Sequence, residues 1–88
     1  MRTDKFLKVS RLIKRREIAK ELCQNGSVSL NGKVAKASSE IAPGDELTLR
    51  LGRHTLTLLI RETRPFASKE QASGLYEILA DEVSGKGE

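Results

Sequence analysis

Residue types that carry much of enzyme chemistry are scarce in this 88-residue chain, which has one cysteine, one histidine and no tryptophan. The single cysteine, Cys23, excludes an internal disulfide and a cysteine-based metal cluster. The histidine, His54, falls at a predicted hairpin turn without an acidic neighbour, so we expect a plain surface residue. Phosphate-binding loops, dinucleotide fingerprints and metal-ligand spacings are missing too. The sequence therefore predicts no catalytic residue, no metal and no cofactor, and we do not expect an enzyme.

Long apolar runs are also missing from the sequence. No stretch approaches the length that spans a bilayer, and Lys5 and Lys8 interrupt the start of the chain. We therefore predict neither a membrane segment nor a signal peptide, and we expect a monomer in the cytoplasm.

Positive charge is abundant, but it is unevenly distributed along the chain. The net charge is +4, yet residues 1–20 carry eight Lys and Arg against Asp4 and Glu17, and residues 65–88 have a net charge of −3. A run of charge is usually a solvated helix face. Here Glu17 and Glu21 can pair with only two or three of the cations, so the excess favours a polyanionic partner for the N-terminal half.

The spacing of apolar residues along the chain predicts two helices followed by strands. A first helix runs from a cap at Thr3 or Asp4 to about Val9, and a second from about Lys14 to Gln24. The second helix has an apolar stripe in which Cys23 is a buried small side chain, and Asn25-Gly26 ends it. The members of this stripe are Ile18, Ala19, Leu22 and Cys23.

After Gly26 the apolar residues alternate, which is typical of strands. Asn31-Gly32 predicts a two-residue hairpin with a return strand over residues 33–37, and Pro43-Gly44 predicts a type II turn. Two further alternating stretches follow, and Pro65 is expected to end the sheet. The strands follow one another without a crossover helix, so the sheet should be antiparallel.

The predicted fold class is α+β: two N-terminal helices packed on a small, twisted antiparallel sheet of four to five strands, with a short C-terminal helix or tail. We predict an RNA-binding domain over residues 1–64 and an acidic C-terminal helix with a disordered tail over residues 65–88. The helix rests on the spacing of Ala72, Leu75, Tyr76 and Leu79, and the disorder on residues 84–88.

The low aromatic content indicates which class of polyanion the chain binds. Phe6, Phe66 and Tyr76 are the only aromatic residues, whereas proteins that bind single strands stack bases on aromatic side chains. Structured RNA, recognised by shape and backbone contacts, fits better than duplex DNA or a membrane surface. A near-helical arrangement would place four cations on one stripe, and two lysines beside the Asn31-Gly32 hairpin would extend it. These six residues are Lys8, Arg11, Lys14, Arg15, Lys33 and Lys36.

The motifs over residues 1 to about 60 resemble the small RNA-binding domain first described in the fourth small-subunit ribosomal protein. The resemblance implies that the first two helices face RNA and that a small twisted sheet follows them. The matching elements, in order, are Arg2-x-Asp4, Phe6-Leu7, Ser10-Arg11, Arg15-Arg16 with Ala19, Gly26-x-Val28-x-Leu30-Asn31-Gly32 and Pro43-Gly44-Asp45.

Among stand-alone members of that domain family, the chain is most similar to the ribosome-quality-control family RqcP, also called YabO. Its acidic end argues against the heat-shock protein fifteen family, whose C-terminal extension is expected to be basic. The resemblance implies binding to large-subunit ribosomal RNA and to peptidyl-tRNA, while a partner of the RqcH/NEMF type extends the stalled chain with alanine without a message. A heat-shock-type recycling factor of large subunits, a protein-interaction adaptor that uses the acidic tail, and an accessory of RNA modification remain alternatives.

The resemblance also assigns roles to individual side chains. It implies that Lys5, Lys14 and Lys20 support five direct RNA contacts, which are Arg2, Lys8, Arg11, Arg15 and Arg16. Asp4 either orients an arginine or accepts a hydrogen bond from a ribose hydroxyl, or it is a charge at a helix N-terminus. The predicted RNA-binding residues are Arg2, Asp4, Lys5, Lys8, Arg11, Lys14, Arg15, Arg16, Lys20, Lys33 and Lys36.

Overall fold

The computed structural model describes residues 1–83 and has the predicted α+β fold. In chain order the elements are α1 (Thr3–Val9), α2 (Arg16–Gln24), β1 (Val28–Leu30), β2 (Lys33–Val34), β3 (Glu46–Leu51), β4 (His54–Ile60), α3 (Lys69–Ala72), a 3-10 turn (Ser73–Leu75) and β5 (Tyr76–Val83). The five strands form one antiparallel sheet in the order β2-β1-β3-β4-β5.

The two N-terminal helices are separated by a turn, as the gap expected between Val9 and Lys14 indicated, but the left-handed residue within it was not predicted. The N-cap residue of α1 is Arg2, whose side chain makes no capping hydrogen bond, so the cap expected at Thr3 or Asp4 is wrong. Helix α2 begins at Arg16, two residues later than expected. Between them Arg11 has φ of 63°, in the left-handed region that few L residues adopt. The amide of Ile13 donates to the Leu7 carbonyl across the turn, at 3.1 Å. Lys8 to Arg15 therefore do not form one helical stripe.

The two predicted tight turns are confirmed. Asn31 and Gly32 have φ of 51° and 86°, which is the pair of positive values that a type I′ hairpin needs. Gly44 has φ of 97°, and the amide of Asp45 donates to the Ala42 carbonyl. The return strand is shorter than predicted and ends at Val34.

The C-terminal segment differs most from the prediction. A short helix, α3, is present and begins with a capping box between Ser68 and Gln71, but the chain then enters β5 and pairs with β4 over residues 76–83. Pro65 therefore does not end the sheet, and the helical spacing as far as Leu79 was misleading. Gly74 weakens a helix at this point, and the open edge of β4 offers backbone partners instead.

The remaining C-terminal predictions are not tested by these elements. The disorder expected over residues 84–88 lies outside the described residues. The boundary between residues 64 and 65 stays a prediction, although the sheet includes strands from both sides of it.

The hydrophobic core lies between the two N-terminal helices and one face of the sheet. Ala19 and Cys23 of the predicted stripe on α2 are buried, whereas Leu22 is half-buried and Ile18 is 43% exposed. Burial, together with the nearby charge of Asp4, raises the pKa of the Cys23 thiol, which fits a small core side chain. The largest fully buried apolar side chains are Phe6, Leu7, Leu47, Leu49, Leu58, Ile60 and Leu75.

Candidate nucleic-acid interface

Asp4 is the centre of the candidate site and holds two arginines that lie 14 residues apart in the sequence. Arg2 donates from Nε to Oδ1 at 3.1 Å and from its terminal nitrogen to Oδ2 at 3.3 Å. Arg16, the first residue of α2, donates to Oδ1 at 3.2 Å, and its Nε lies 3.2 Å from Oδ2. Both guanidinium groups are therefore fixed in orientation by one carboxylate.

Backbone contacts with a distant loop position Asp4. The amides of Thr3 and Asp4 donate to the carbonyls of Ser39 and Ala37, at 2.9 and 3.1 Å, and Arg2 forms a β-bridge with Glu40. The first turn of α1 adds a hydrogen bond, because the Lys5 amide donates to Asp4 Oδ1 at 2.8 Å. Asp4 thus has two of the predicted roles, an orienting group and a negative charge near a helix N-terminus.

The third role predicted for Asp4, contact with a ribose hydroxyl, is wrong for this structure because the residue is fully buried. Burial alone would raise the pKa of the carboxyl, but hydrogen bonds from Arg16 and Arg2, together with their charges, lower the pKa below its ordinary value of 3.8. Asp4 therefore stays ionised at neutral pH, and its contacts with charged side chains are those with the two arginines.

One groove of the surface brings N-terminal cations together with the segment after β4. It is lined by Lys5, Lys8, Val9, Arg11 and Arg16 on one side. The other side is formed by residues 65–67. Within residues 1–83, Lys5, Lys8 and Arg11 have no ion-pair partner, so their charge is open to a ligand.

A neighbouring groove continues the positive surface. Lys8 and Arg11 line both grooves, and the second also contains Ile13, Lys14 and Lys69. The grouping of Lys8, Arg11 and Lys14 expected from the sequence is therefore present, but it arises from the turn at Arg11 rather than from a helix. Arg15, expected in the same group, lines neither groove.

A third groove lies on the other side of the Asp4 centre. Arg2 and Lys36 line it, together with Cys23, Gln24 and residues 34–38. Since Asp4 holds both Arg2 and Arg16, it connects this groove to the first one. Lys20 on α2 and Lys33 at the hairpin are exposed but line none of the three grooves.

Two residues of this surface were missed by the sequence analysis. Lys69 and Phe66 lie in the segment that was assigned to an acidic tail, yet they line the grooves beside α1. The capping box at Ser68 was the available signal for a short helix starting here. Nothing in the sequence indicated that this segment packs near residues 5–16.

His54 was predicted to have no acidic neighbour, but the structure places one beside it. Its Nε2 contacts Oδ1 of Asp81, which β5 brings beside β4. The expectation of an isolated histidine was wrong because β5 had been predicted as helix. Both side chains are about half exposed, as suits a surface pair. Among the described residues no cluster of three metal-ligating side chains is formed, and no helix has the length and apolar character to cross a bilayer.

Comparison with known proteins agrees with the resemblance seen in the motifs. Residues 1–47, more than half of the chain, match the S4 domain family. A protein of Bacillus subtilis named RQC P-site tRNA stabilizing factor is 52% identical over 98% of this chain and 100% of its own length. A protein of the same name from Halalkalibacterium halodurans is 50% identical over the whole of both chains. The chain belongs to the S4 domain family and, within it, to the family of these two relatives.

Heat shock proteins are more distant relatives with the same fold. Heat shock protein 15 of Escherichia coli is 33% identical over 94% of this chain, but the match covers only 63% of that protein. A solved trimeric structure of Heat Shock Protein 15 from Vibrio cholerae has a TM-score of 0.84 at 32% identity, covering 91% of this chain and 82% of that one. The solution structure of the hypothetical protein HP1423 has a TM-score of 0.79, with 93% and 100% covered. The α+β assignment is thereby confirmed.

Proposed function

We propose that this chain is a non-catalytic RNA-binding factor of bacterial ribosome-associated quality control. It binds the large ribosomal subunit and stabilises obstructed peptidyl-tRNA in the P site while the stalled nascent chain is extended with alanine without a message. The observation that carries the proposal is the cationic surface around Asp4, on which Lys5, Lys8 and Arg11 have no carboxylate partner within residues 1–83. The names of the close relatives support the P-site tRNA as one ligand.

The physical basis is phosphate binding by charge and shape. Arginines held by a buried carboxylate are pre-oriented, so less side-chain freedom is lost when they meet a phosphate or a base edge. The exposed lysines beside them add charge without fixed geometry. A protein that makes about six phosphate contacts loses roughly a thousandfold in affinity between about 50 and 200 mM salt, which suits a factor that docks transiently.

The remaining parts of the proposal concern setting and partners. The protein acts in the cytoplasm as a monomer, without a cofactor, and contacts large-subunit ribosomal RNA as well as the peptidyl-tRNA. A tailing factor of the RqcH/NEMF type works on the same subunit and delivers alanyl-tRNA. The proposed RNA contacts are the exposed or half-exposed cations of the predicted set, with Asp4 acting behind them: Arg2, Lys5, Lys8, Arg11, Lys14, Arg15, Arg16, Lys20, Lys33 and Lys36.

The direct test is to purify the tagged protein with its bound RNA and to sequence that RNA. We expect intact tRNA and large-subunit RNA without small-subunit RNA. Recovery of a modifying enzyme with free tRNA instead would contradict the proposal and favour an accessory of RNA modification.

Arg11→Gly gives a variant of the same experiment that separates binding from folding. Glycine adopts a positive φ without the cost of about 1–2 kcal/mol that L residues incur, and its greater freedom in the unfolded chain offsets part of this gain, so stability should not fall while one cation is lost. We expect weaker subunit binding at an unchanged or higher melting temperature. Leu49→Ala is the opposite control, because truncating a fully buried leucine costs about 2–5 kcal/mol of stability.

A second candidate function follows from the similarity to heat shock protein 15. In that case the chain would act in recycling large subunits that carry a nascent chain, independently of alanine addition. Deleting the gene and measuring alanine tails separates the two. Tails that persist at the normal level would favour the recycling function.

A further inference from the structure

Phe66 is the most exposed large apolar side chain among residues 1–83, at 80% exposure. A single exposed apolar side chain is common on protein surfaces and needs no explanation by itself. The position of Phe66 sets it apart, because it lies in the connection between β4 and α3 and lines the groove formed by Lys5, Lys8, Arg11 and Arg16. The exposed aromatic residue therefore lies in a groove that is also lined by four cations.

The composition of this groove suits one kind of ligand. Its lining contains four cations, the small apolar residues Val9, Pro65 and Ala67, and the ring of Phe66, but no carboxylate. An aromatic ring presents a flat face on which a base can stack, and neighbouring cations can neutralise the phosphates on either side of that base. RNA-binding proteins hold unstacked bases of loops, bulges and ends in this way.

We propose that the groove binds one unstacked nucleotide of RNA, with its base on the face of Phe66 and its flanking phosphates at Lys5, Lys8 and Arg11. The proposal rests on the proposed function, since it names the part of an RNA that this surface takes. It also changes the mode of recognition expected from the sequence. Shape and backbone contacts are joined by one stacking contact, and the segment after β4 becomes part of the interface.

Tryptophan fluorescence gives a direct test, because the sequence contains no tryptophan. In the Phe66→Trp protein, the indole should stack on a bound base and its emission should be quenched. The probes are octaadenylate and an abasic RNA octamer with the same phosphates and riboses. We expect quenching by octaadenylate alone. Val83→Trp is the matched control, because Val83 is 65% exposed and pairs with His54, at the far end of β4 from Ile60.

Affinity measurements with Phe66→Ala and Phe66→Leu complete the test. Loss of one stacked base should weaken octaadenylate binding by a factor between about five and about a hundred. Binding of the abasic octamer should not change, and the salt dependence should keep its slope because no phosphate contact is lost. Leucine retains apolar bulk without a flat ring, so Phe66→Leu should resemble Phe66→Ala. The melting temperature should stay the same, since the ring is exposed.

Several results would overturn the inference. The first is that Phe66→Ala binds octaadenylate as tightly as the unaltered protein does. The second is that Phe66→Ala loses affinity equally for octaadenylate and for the abasic octamer. The third is that the unaltered protein does not bind octaadenylate at low salt. If Phe66→Ala binds octaadenylate normally but no longer co-purifies with a protein that the unaltered chain retains, Phe66 contacts a protein instead. None of these affects the proposed function, which depends on co-purification of tRNA and large-subunit RNA and on the weaker subunit binding of Arg11→Gly.

Discussion

The N-terminal helices and the β4–β5 hairpin, which here means the two strands with their connection (residues 54–83), both carry many charged side chains, but they differ in how these are paired. Within the hairpin, Arg61 pairs with Glu77 at 3.0 Å, Arg64 pairs with Glu62 at 2.7 Å, and His54 contacts Asp81. Around α1 and α2, one buried carboxylate holds two arginines, and the neighbouring lysines have no carboxylate partner in residues 1–83. Arg61 and Arg64 of the hairpin are thus paired with carboxylates, whereas Lys5, Lys8 and Arg11 at the helices have no carboxylate partner among the described residues.

The largest effect in this comparison should come from Asp4→Asn. The change removes a fully buried charge that two arginines require, and Arg16 Nε, which is itself buried, loses its ionic partner. We expect a loss of about 2–3 kcal/mol in the free energy of unfolding, because the half-exposed arginines can turn partly to water. Glu77→Gln is the control on the hairpin and should cost less than about 1 kcal/mol. Denaturant unfolding measures both, and equal losses would contradict the comparison.

The pH dependence of stability tests the same carboxylate. The pKa of Asp4 is lowered in the folded protein, so its contribution is complete above its ordinary value of 3.8 and is lost as the pH falls from there through the folded pKa. Unfolding free energies measured from pH 6 down to pH 2 should decline less steeply for Asp4→Asn than for the unaltered protein. Identical slopes in this acid range would show that Asp4 does not stabilise the fold through its charge.

The next largest effect should appear in RNA binding. Lys8→Gln/Arg11→Gln and Arg61→Gln/Arg64→Gln each remove two positive charges, the first pair from the open surface and the second from ion pairs. If Lys8 and Arg11 each contact one phosphate, binding should weaken by about thirtyfold near 0.15 M salt and the salt slope should fall by about two units. The hairpin variant should lose little. Equal losses in a salt titration with large subunits would mean that only net charge matters.

The smallest effect is expected for His54→Gln. The contact with Asp81 is exposed on both sides, and such pairs contribute about 0–1 kcal/mol. The melting temperature and the RNA affinity should therefore stay nearly unchanged. A fall in RNA affinity to the level of the Lys8→Gln/Arg11→Gln protein would place the hairpin in the interface.

Local signals in the sequence predicted the parts of the fold that local chemistry determines. The positive φ values of Asn31, Gly32 and Gly44 suit the residue types found there, so both turns were predicted correctly, and strand alternation predicted β3 and β4. The segment after Ser73 could not be assigned in this way, because an apolar spacing that fits a helix also occurs in a strand at the edge of a sheet. The free edge of β4, a tertiary feature, decided between them.

The candidate site was predictable in the same limited sense. The excess of cations over carboxylates identified the N-terminal surface and most of its residues. It did not show that Asp4 is buried between Arg2 and Arg16, because that geometry depends on the loop around Ser39 meeting the start of α1. The contribution of Phe66 and Lys69 depends on packing between residues that are more than fifty positions apart.

The sharing of one carboxylate by Arg2 and Arg16 has a genetic consequence. Substitutions at these two positions should show epistasis, since losing either arginine changes how firmly Asp4 constrains the other. Substitutions at residues 2, 4 and 16 are then expected to be correlated among related sequences. A random mutant library would find double changes there more often than the fitness of each single change predicts.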